Sequence, residues 1–267
     1  MNGDETQSGA EPIVSLERLP GHVGLVTLNR PKARNAINAA VAAALEAIVT
    51  ATEDDPDIRA VVLTGAGSDA FCAGADLKEV AAGRVADLFT ARSGFAGFVN
   101  AERTKPWIAA VNGKALAGGC EIVLACELVV AAEDAAFGLP EVLRGLLAAA
   151  GGLYRLPRAL PRNLALELIM TGEPLDARRA HHHGMVNRLV PAERVVADAI
   201  ALAASIARNA PLAVRESLRV ARQANELTET ELRALTQASR ERIVRSEDYK
   251  EGPRAFIEKR EPRWTGR

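Results

Sequence analysis

Between Val23 and Leu124 the chain returns three times to one order: a short apolar run, a loop, and then a helix-forming stretch. VGLVTLN (residues 23–29) is followed by the turn RPKARNA and a helical stretch from about Asn38 to Thr52. RAVVLTG (59–65) passes through the Gly-bearing loop SDAFCAGAD to a helix opening near Asp76. WIAAVNG (107–113) passes through KALAGG to a helix from about Cys120. Three such units point to parallel strands joined by crossover helices, an α/β architecture. The next segment, LVVAAEDAAFG (128–138), reads as two short strands around a Glu-Asp turn, before a Gly- and Pro-bearing loop. From Ala192 to Arg245 the chain is almost continuously helix-forming, with Pro211 as the one clear breaker. The expected division is a polar tail at 1–11, an α/β core at 12–190 and a helical C-terminal region at 191–267.

Composition narrows the function classes. With 267 residues, 48% of them hydrophobic, and a formal net charge of -1, the chain suits a soluble globular protein with a sizeable core. Its Lys and Arg are scattered, which gives no footprint for a phosphate backbone, so nucleic acid is not an expected partner. Cys72, Cys120 and Cys126 match no zinc-ligand spacing and read as small core residues of a reducing compartment. Glu46, Glu121 and Glu127 interrupt the apolar runs, so a membrane span is not expected either, and the expected location is the cytoplasm.

Two motifs invite readings that fail. GAGSDA (65–70), with Asp87 beyond it, imitates a dinucleotide fingerprint, but FCAGAD intervenes before any helix. His181, His182 and His183 are consecutive, and on a helix such residues point about 100° apart and cannot chelate one metal. They read as a polar helix C-terminus before Gly184. No G-x-S-x-G elbow is present.

The loops FCAGAD and ALAGGC are more informative. Each delivers backbone N–H groups at a helix start, where they lack intrahelical partners and the dipole favours negative charge. Two such loops aimed at one oxygen make an oxyanion hole, and glycine permits the close approach. Two carboxylates accompany them: Glu121 in the first turn of the third helix, and Glu141 after Phe137-Gly138-Leu139-Pro140. Either alone serves as a capping acid. As a pair in apolar surroundings they can hold one water, with burial and repulsion keeping one of them protonated.

The set NRPKARNAIN (29–38), FCAGADLKE (71–79), KPWIAAVNGKALAGGCEIVLACE (105–127), FGLPEV (137–142), AGGLYRLPR (150–158) and AFIEKREPRW (255–264) resembles the crotonase family of acyl-coenzyme A enzymes, in order and with its spacing. The resemblance implies a spiral of strand, strand, helix turns and a C-terminal helical region that helps form homotrimers or hexamers. It implies oxyanion N–H groups at Ala75 and Gly118 and catalytic glutamates at Glu121 and Glu141, the pair that hydratases carry. The implied reaction is addition of water across C2=C3 of an enoyl-coenzyme A thioester, with other crotonase reactions such as isomerisation or dehydration as the alternative. Coenzyme A enters as part of the substrate and no further cofactor or metal is implied. Its contacts are expected from Lys32, Ala33 and Arg34, from Asp76, Leu77 and Lys78, and from Lys259.

The chain departs from the family at Ala148-Ala149-Ala150-Gly151-Gly152, where many members have Pro-Gly-Ala-Gly-Gly, so the floor of the acyl pocket is expected to differ. Residues 80–98, which should border the acyl chain, set no clear size limit. Some family members bind RNA through a Lys-rich helix. The corresponding stretch, expected to be helical from about Lys78 to Arg92, carries only Lys78, Arg84 and Arg92 as cations against Glu79 and Asp87, too sparse for that role.

Overall fold

The computed structural model describes residues 11–267; the expected polar tail lies, but for Glu11, outside the described residues. The chain begins with an antiparallel pair, β1 (Val14–Leu19) and β2 (Val23–Leu28). Asn38 then caps α1 (Ala39–Asp54), its side chain accepting from the Val41 N–H at 3.0 Å. Val41, Leu45 and Val49 are buried at helical spacing, which fixes the face that α1 turns inward.

Each later turn places one strand in a large sheet, one in a small sheet, and then a helical element. The first runs through β3 (Ala60–Gly65), β4 (Ala70–Cys72) and the short α2 (Leu77–Ala81), followed by the hairpin β5 (Phe89–Thr90) and β6 (Gly94–Phe95). The second runs through β7 (Trp107–Val111), β8 (Lys114–Leu116) and α3 (Gly118–Leu124). The third runs through β9 (Leu128–Ala132), β10 (Ala136–Gly138), a 3-10 turn (Pro140–Arg144), α4 (Gly152–Ala159) and α5 (Arg162–Thr171). Beyond it come β11 (Leu175–Asp176), α6 (Ala177–His182) and β12 (Arg188–Val190).

The large sheet has the order β1-β2-β3-β7-β9-β12, parallel from β2 onward, and the small sheet has the order β11-β10-β8-β4. Every residue of β3 and β7 is buried, as expected of parallel strands covered on both faces. One cover is α7 (Val195–Ala207), whose Val195, Ala199, Ala203 and Ala207 recur every fourth residue, and whose small side chains let it lie close on β2, β3, β7 and β9. Then follow α8 (Pro211–Ala221), α9 (Glu229–Val244) and α10 (Glu247–Ile257), with Trp264 Nε1 donating back to the Arg208 carbonyl at 2.8 Å.

This is the strand, strand, helix spiral that the resemblance implies, with three corrections to the element reading. The loops SDAFCAGAD and KALAGG each contain a strand of the small sheet, too short to show a period of two. The expected helix from Lys78 to Arg92 ends at Ala81, because Gly83 takes a left-handed φ of 72° and a 3-10 turn and the β5–β6 hairpin follow. The C-terminal region breaks at residues 222–228 and at 245–246 as well as before Pro211. The triple histidine is the end of α6, as expected, with His181 Nδ1 2.9 Å from the Val186 carbonyl. Among the described residues no single helix is long and apolar enough to cross a membrane.

Candidate active site

The small sheet assembles the site. β4, β8 and β10 run parallel, with Cys72 opposite Ala115 and Leu116 opposite Gly138. The chain therefore leaves three neighbouring strands on the same edge, and residues 73–76, 117–118 and 139–141 come together there. Carboxyl ends of parallel strands are where open α/β sheets form crevices.

The first two loops touch. A Cβ placed on Gly74, which has a φ of 87°, would lie 2.8 Å from the Gly118 nitrogen and 2.9 Å from the Ala117 Cβ. Only glycine fits. Gly118 is the first residue of α3, two residues before the expected start, so its N–H lies outside the helical ladder. Neither this N–H nor that of Ala75 has an acceptor among the described residues. The residue before it, Ala117, has φ 52° and ψ -129°, a costly conformation for an alanine, held by its N–H donating to the Gly138 carbonyl at 2.9 Å. Phe95 closes the far side: a Cβ on Gly118 would fall 2.4 Å from its ring. One residue of the 80–98 segment thus reaches the site.

Glu121 follows in the first turn of α3 and is only 3% exposed. Its Oε1 accepts from the Gly152 N–H at 2.8 Å. Gly152 is the first residue of α4, so the carboxylate sits at two helix N-termini, its own and that of α4. Burial nonetheless raises the Glu121 pKa, against the opposing pull of the Gly152 and Ala150 N–H groups and the Arg155 charge.

Glu141, on the 3-10 turn after β10, is 8% exposed, and its buried Oε2 has no partner. Burial, opposed by its own N–H and added to by the negative charge of Glu121, pushes its pKa up to about 7. One carboxylate is thus tethered, and the other carries a free oxygen and a pKa of about 7.

The remaining expected residues divide. The Ala73 N–H donates to the Arg34 carbonyl at 3.0 Å and the Ile37 N–H to the Gly74 carbonyl at 2.8 Å, so the loop bearing Lys32, Ala33 and Arg34 lies against the oxyanion loop. Lys32, Arg34, Leu77 and Lys78 are exposed beside it. Asp76 is engaged internally: Oδ1 accepts from the Lys78 N–H at 3.1 Å and Oδ2 from Arg30 at 3.0 Å. Partial burial opposes ionisation, yet that N–H and the Arg30 guanidinium hold its carboxyl below the usual range. Its visible work is to join the two loops. Lys259 is exposed after α10, and no hydrogen bond or ion pair among the described residues joins it to the glutamates or to residues 32–34. The sequence reading did not name the Gly152 N–H that tethers Glu121 or the Arg30–Asp76 pair. The run AAAGG, two glycines before a helix, was the available signal for the first.

Known proteins are similar to this chain in sequence and in fold. Residues 18–267 match the family described as enoyl-CoA hydratase/isomerase. A probable enoyl-CoA hydratase of Mycobacterium tuberculosis is 42% identical, over 92% of this chain and 95% of its own. A carnitinyl-CoA dehydratase of Proteus mirabilis is 40% identical over 92% and 96% of the two chains, and a mevalonyl-coenzyme A hydratase of Aspergillus fumigatus is 40% identical over 91% of each. The crystal structure of an enoyl-CoA hydratase from Mycobacterium tuberculosis superposes with a TM-score of 0.91 at 44% identity, covering 96% of this chain and all of the other.

Proposed function

The chain belongs to the enoyl-CoA hydratase/isomerase family, and on that premise we propose that it adds water across the C2=C3 bond of an enoyl-coenzyme A thioester. The observation that carries this reading is the unequal pair: Glu121 fixed by the Gly152 N–H, and Glu141 with an unpartnered buried oxygen and a pKa of about 7. Two carboxyls whose surroundings separate their proton affinities divide the roles of base and acid. The Ala75 and Gly118 N–H groups receive the thioester oxygen, where charge develops as water attacks C3. Glu121 holds and deprotonates that water, and protonated Glu141 supplies the proton to C2. Run backwards, the same groups dehydrate a hydroxyacyl thioester, the direction named for the carnitinyl-CoA relative.

The substrate's coenzyme A portion lies, in this proposal, along Lys32, Ala33 and Arg34 and the exposed side of Leu77 and Lys78, with Asp76 holding the two loops together. A homotrimer or hexamer accompanies the reading, because α10 leaves Phe256 85% and Ile257 79% exposed, a surface suited to contact with another copy. Lys259 would then reach a phosphate of a neighbouring copy's substrate. The test is a panel of enoyl-coenzyme A thioesters of differing length and branching, followed by loss of the conjugated-thioester absorbance. Hydratase activity produces that loss with formation of the 3-hydroxyacyl product. Migration of the double bond without hydration on every thioester would move the assignment to isomerase.

A further inference from the structure

A cleft of about 930 Å³ opens between the end of α1, the segment 99–104 and α8; Arg155, whose charge acts on Glu121, is on its wall, but none of Ala75, Gly118, Glu121 or Glu141 lines it. Six arginines do: Arg92, Arg103, Arg155, Arg215, Arg219 and Arg222. Most are occupied. Arg222 pairs with Glu127 at 2.6 Å, Arg219 with Glu216 at 3.3 Å, and Arg155 donates to the Val99 and Ala150 carbonyls at 2.7 and 3.1 Å.

Arg103 and Arg215 are different. Arg103 spends Nη2 on the Ala125 carbonyl at 2.5 Å, but its Nε and Nη1 are buried without a partner, as is the Nε of Arg215. The Arg103 guanidinium lies 4.0 Å over the Phe98 ring and 5.7 Å from that of Trp107, which satisfies its faces and leaves its N–H edges unmet. The nearby acids do not fill the gap. Glu53 is taken by the Thr104 hydroxyl and by the Thr104 and Lys105 N–H groups, and Glu216 by Arg242 and Arg219. Asp54 and Glu102 remain on the cleft wall as its only acids without a hydrogen-bonding or ion-pair partner among the described residues. A charged group with dry, unpaired N–H bonds costs more free energy than a neutral one, and an oxyanion is the group that relieves it.

We propose that this cleft binds a small anion whose carboxylate or phosphate oxygens accept hydrogen bonds from Arg103 and Arg215, at a site not lined by the glutamate pair. The test is calorimetric titration of the full-length protein with inorganic phosphate and, in a second arm, succinate, at constant ionic strength; the arms tell phosphate from carboxylate recognition. Saturable binding of at least one is expected. Arg103→Gln and Arg215→Gln should each weaken it roughly tenfold or more, the worth of a charge-assisted contact. Arg178→Gln, whose arginine pairs with Glu133 elsewhere, should leave it unchanged. If Arg103→Gln does not fold, Arg215→Gln decides alone. The proposal is overturned if neither anion binds saturably, or if both folded variants bind as the parent does. It is also overturned if neither anion binds while Arg103→Gln lowers the sedimentation coefficient, which would make the cleft a contact between copies.

Discussion

The first turn of α3 and the 3-10 turn after β10 stand at the ends of adjacent parallel strands, and each carries one buried glutamate, yet they give that glutamate different partners. Burial raises the pKa of Glu121 too, but there the Gly152 and Ala150 N–H groups at the start of α4 oppose the rise. Glu141 receives burial and a like charge, which favour its neutral form. On the proposed reading, it is the start of α4, reaching one carboxylate and missing the other, that separates base from acid.

The largest expected effect comes from erasing either side of this contrast. Glu121→Gln and Glu141→Gln should each lower hydration by about 10² to 10⁴, the usual worth of a positioned acid or base, while an acyl-coenzyme A still binds because the backbone N–H groups of Ala75 and Gly118 remain. Single-turnover rates beside a binding titration check both halves.

The second effect is on stability and is read at Glu141, whose pKa lies near neutrality. Its folded pKa, about 7, lies above its ordinary value of 4.5, so the folded chain holds this proton more tightly than the unfolded chain does. That contribution is full below pH 4.5 and is lost as pH rises through 7, which leaves the protein less stable by about 3 kcal/mol at pH 8 or above. Glu141→Gln should restore stability of that order in urea unfolding at pH 8 and change little near pH 4. The same titration should make kcat/KM fall above pH about 7.

The third weakens the tether instead of the acid. A Cβ on Gly152 would lie 2.8 Å from Leu139 and 3.1 Å from the Glu121 oxygen. Gly152→Ala should move Glu121 and reduce kcat roughly ten- to a hundredfold, since small misplacements of a catalytic group are costly. A pH profile that keeps its high-pH limb would show that Glu141 is untouched. The smallest effect lies outside the contrast. Lys32→Glu with Arg34→Glu should raise KM a few-fold, roughly the scale of exposed charges, and leave kcat nearly constant. An unchanged KM at low salt would remove both from the coenzyme A contacts.

How much of this was legible follows from what kind of feature each residue is. The long apolar strands and the capped α1 announce themselves by pattern, because burial on both faces or along one helical stripe writes itself into composition. β4 and β8 do not, since three residues inside a glycine loop carry no periodicity, although it is their pairing that brings the loops together. The helix expected over 78–92 failed at Gly83, where backbone freedom outweighed the helix-forming residues around it. Glu121 and Glu141 stood out beside the glycine loops, the resemblance then implied their roles, and their inequality was expected only as a possibility of paired acids. Which of the two would be tethered depended on where α4 begins, a tertiary fact that AAAGG alone does not determine.

The most direct test is a double-mutant cycle on the hydration rate of one good enoyl thioester, with Glu121→Gln, Glu141→Gln and the double variant. If both carboxyls act on one water as a unit, the double variant loses little more than the worse single one. Losses that multiply, or a Glu121→Gln variant that keeps most activity on every thioester tried, would contradict the division of roles.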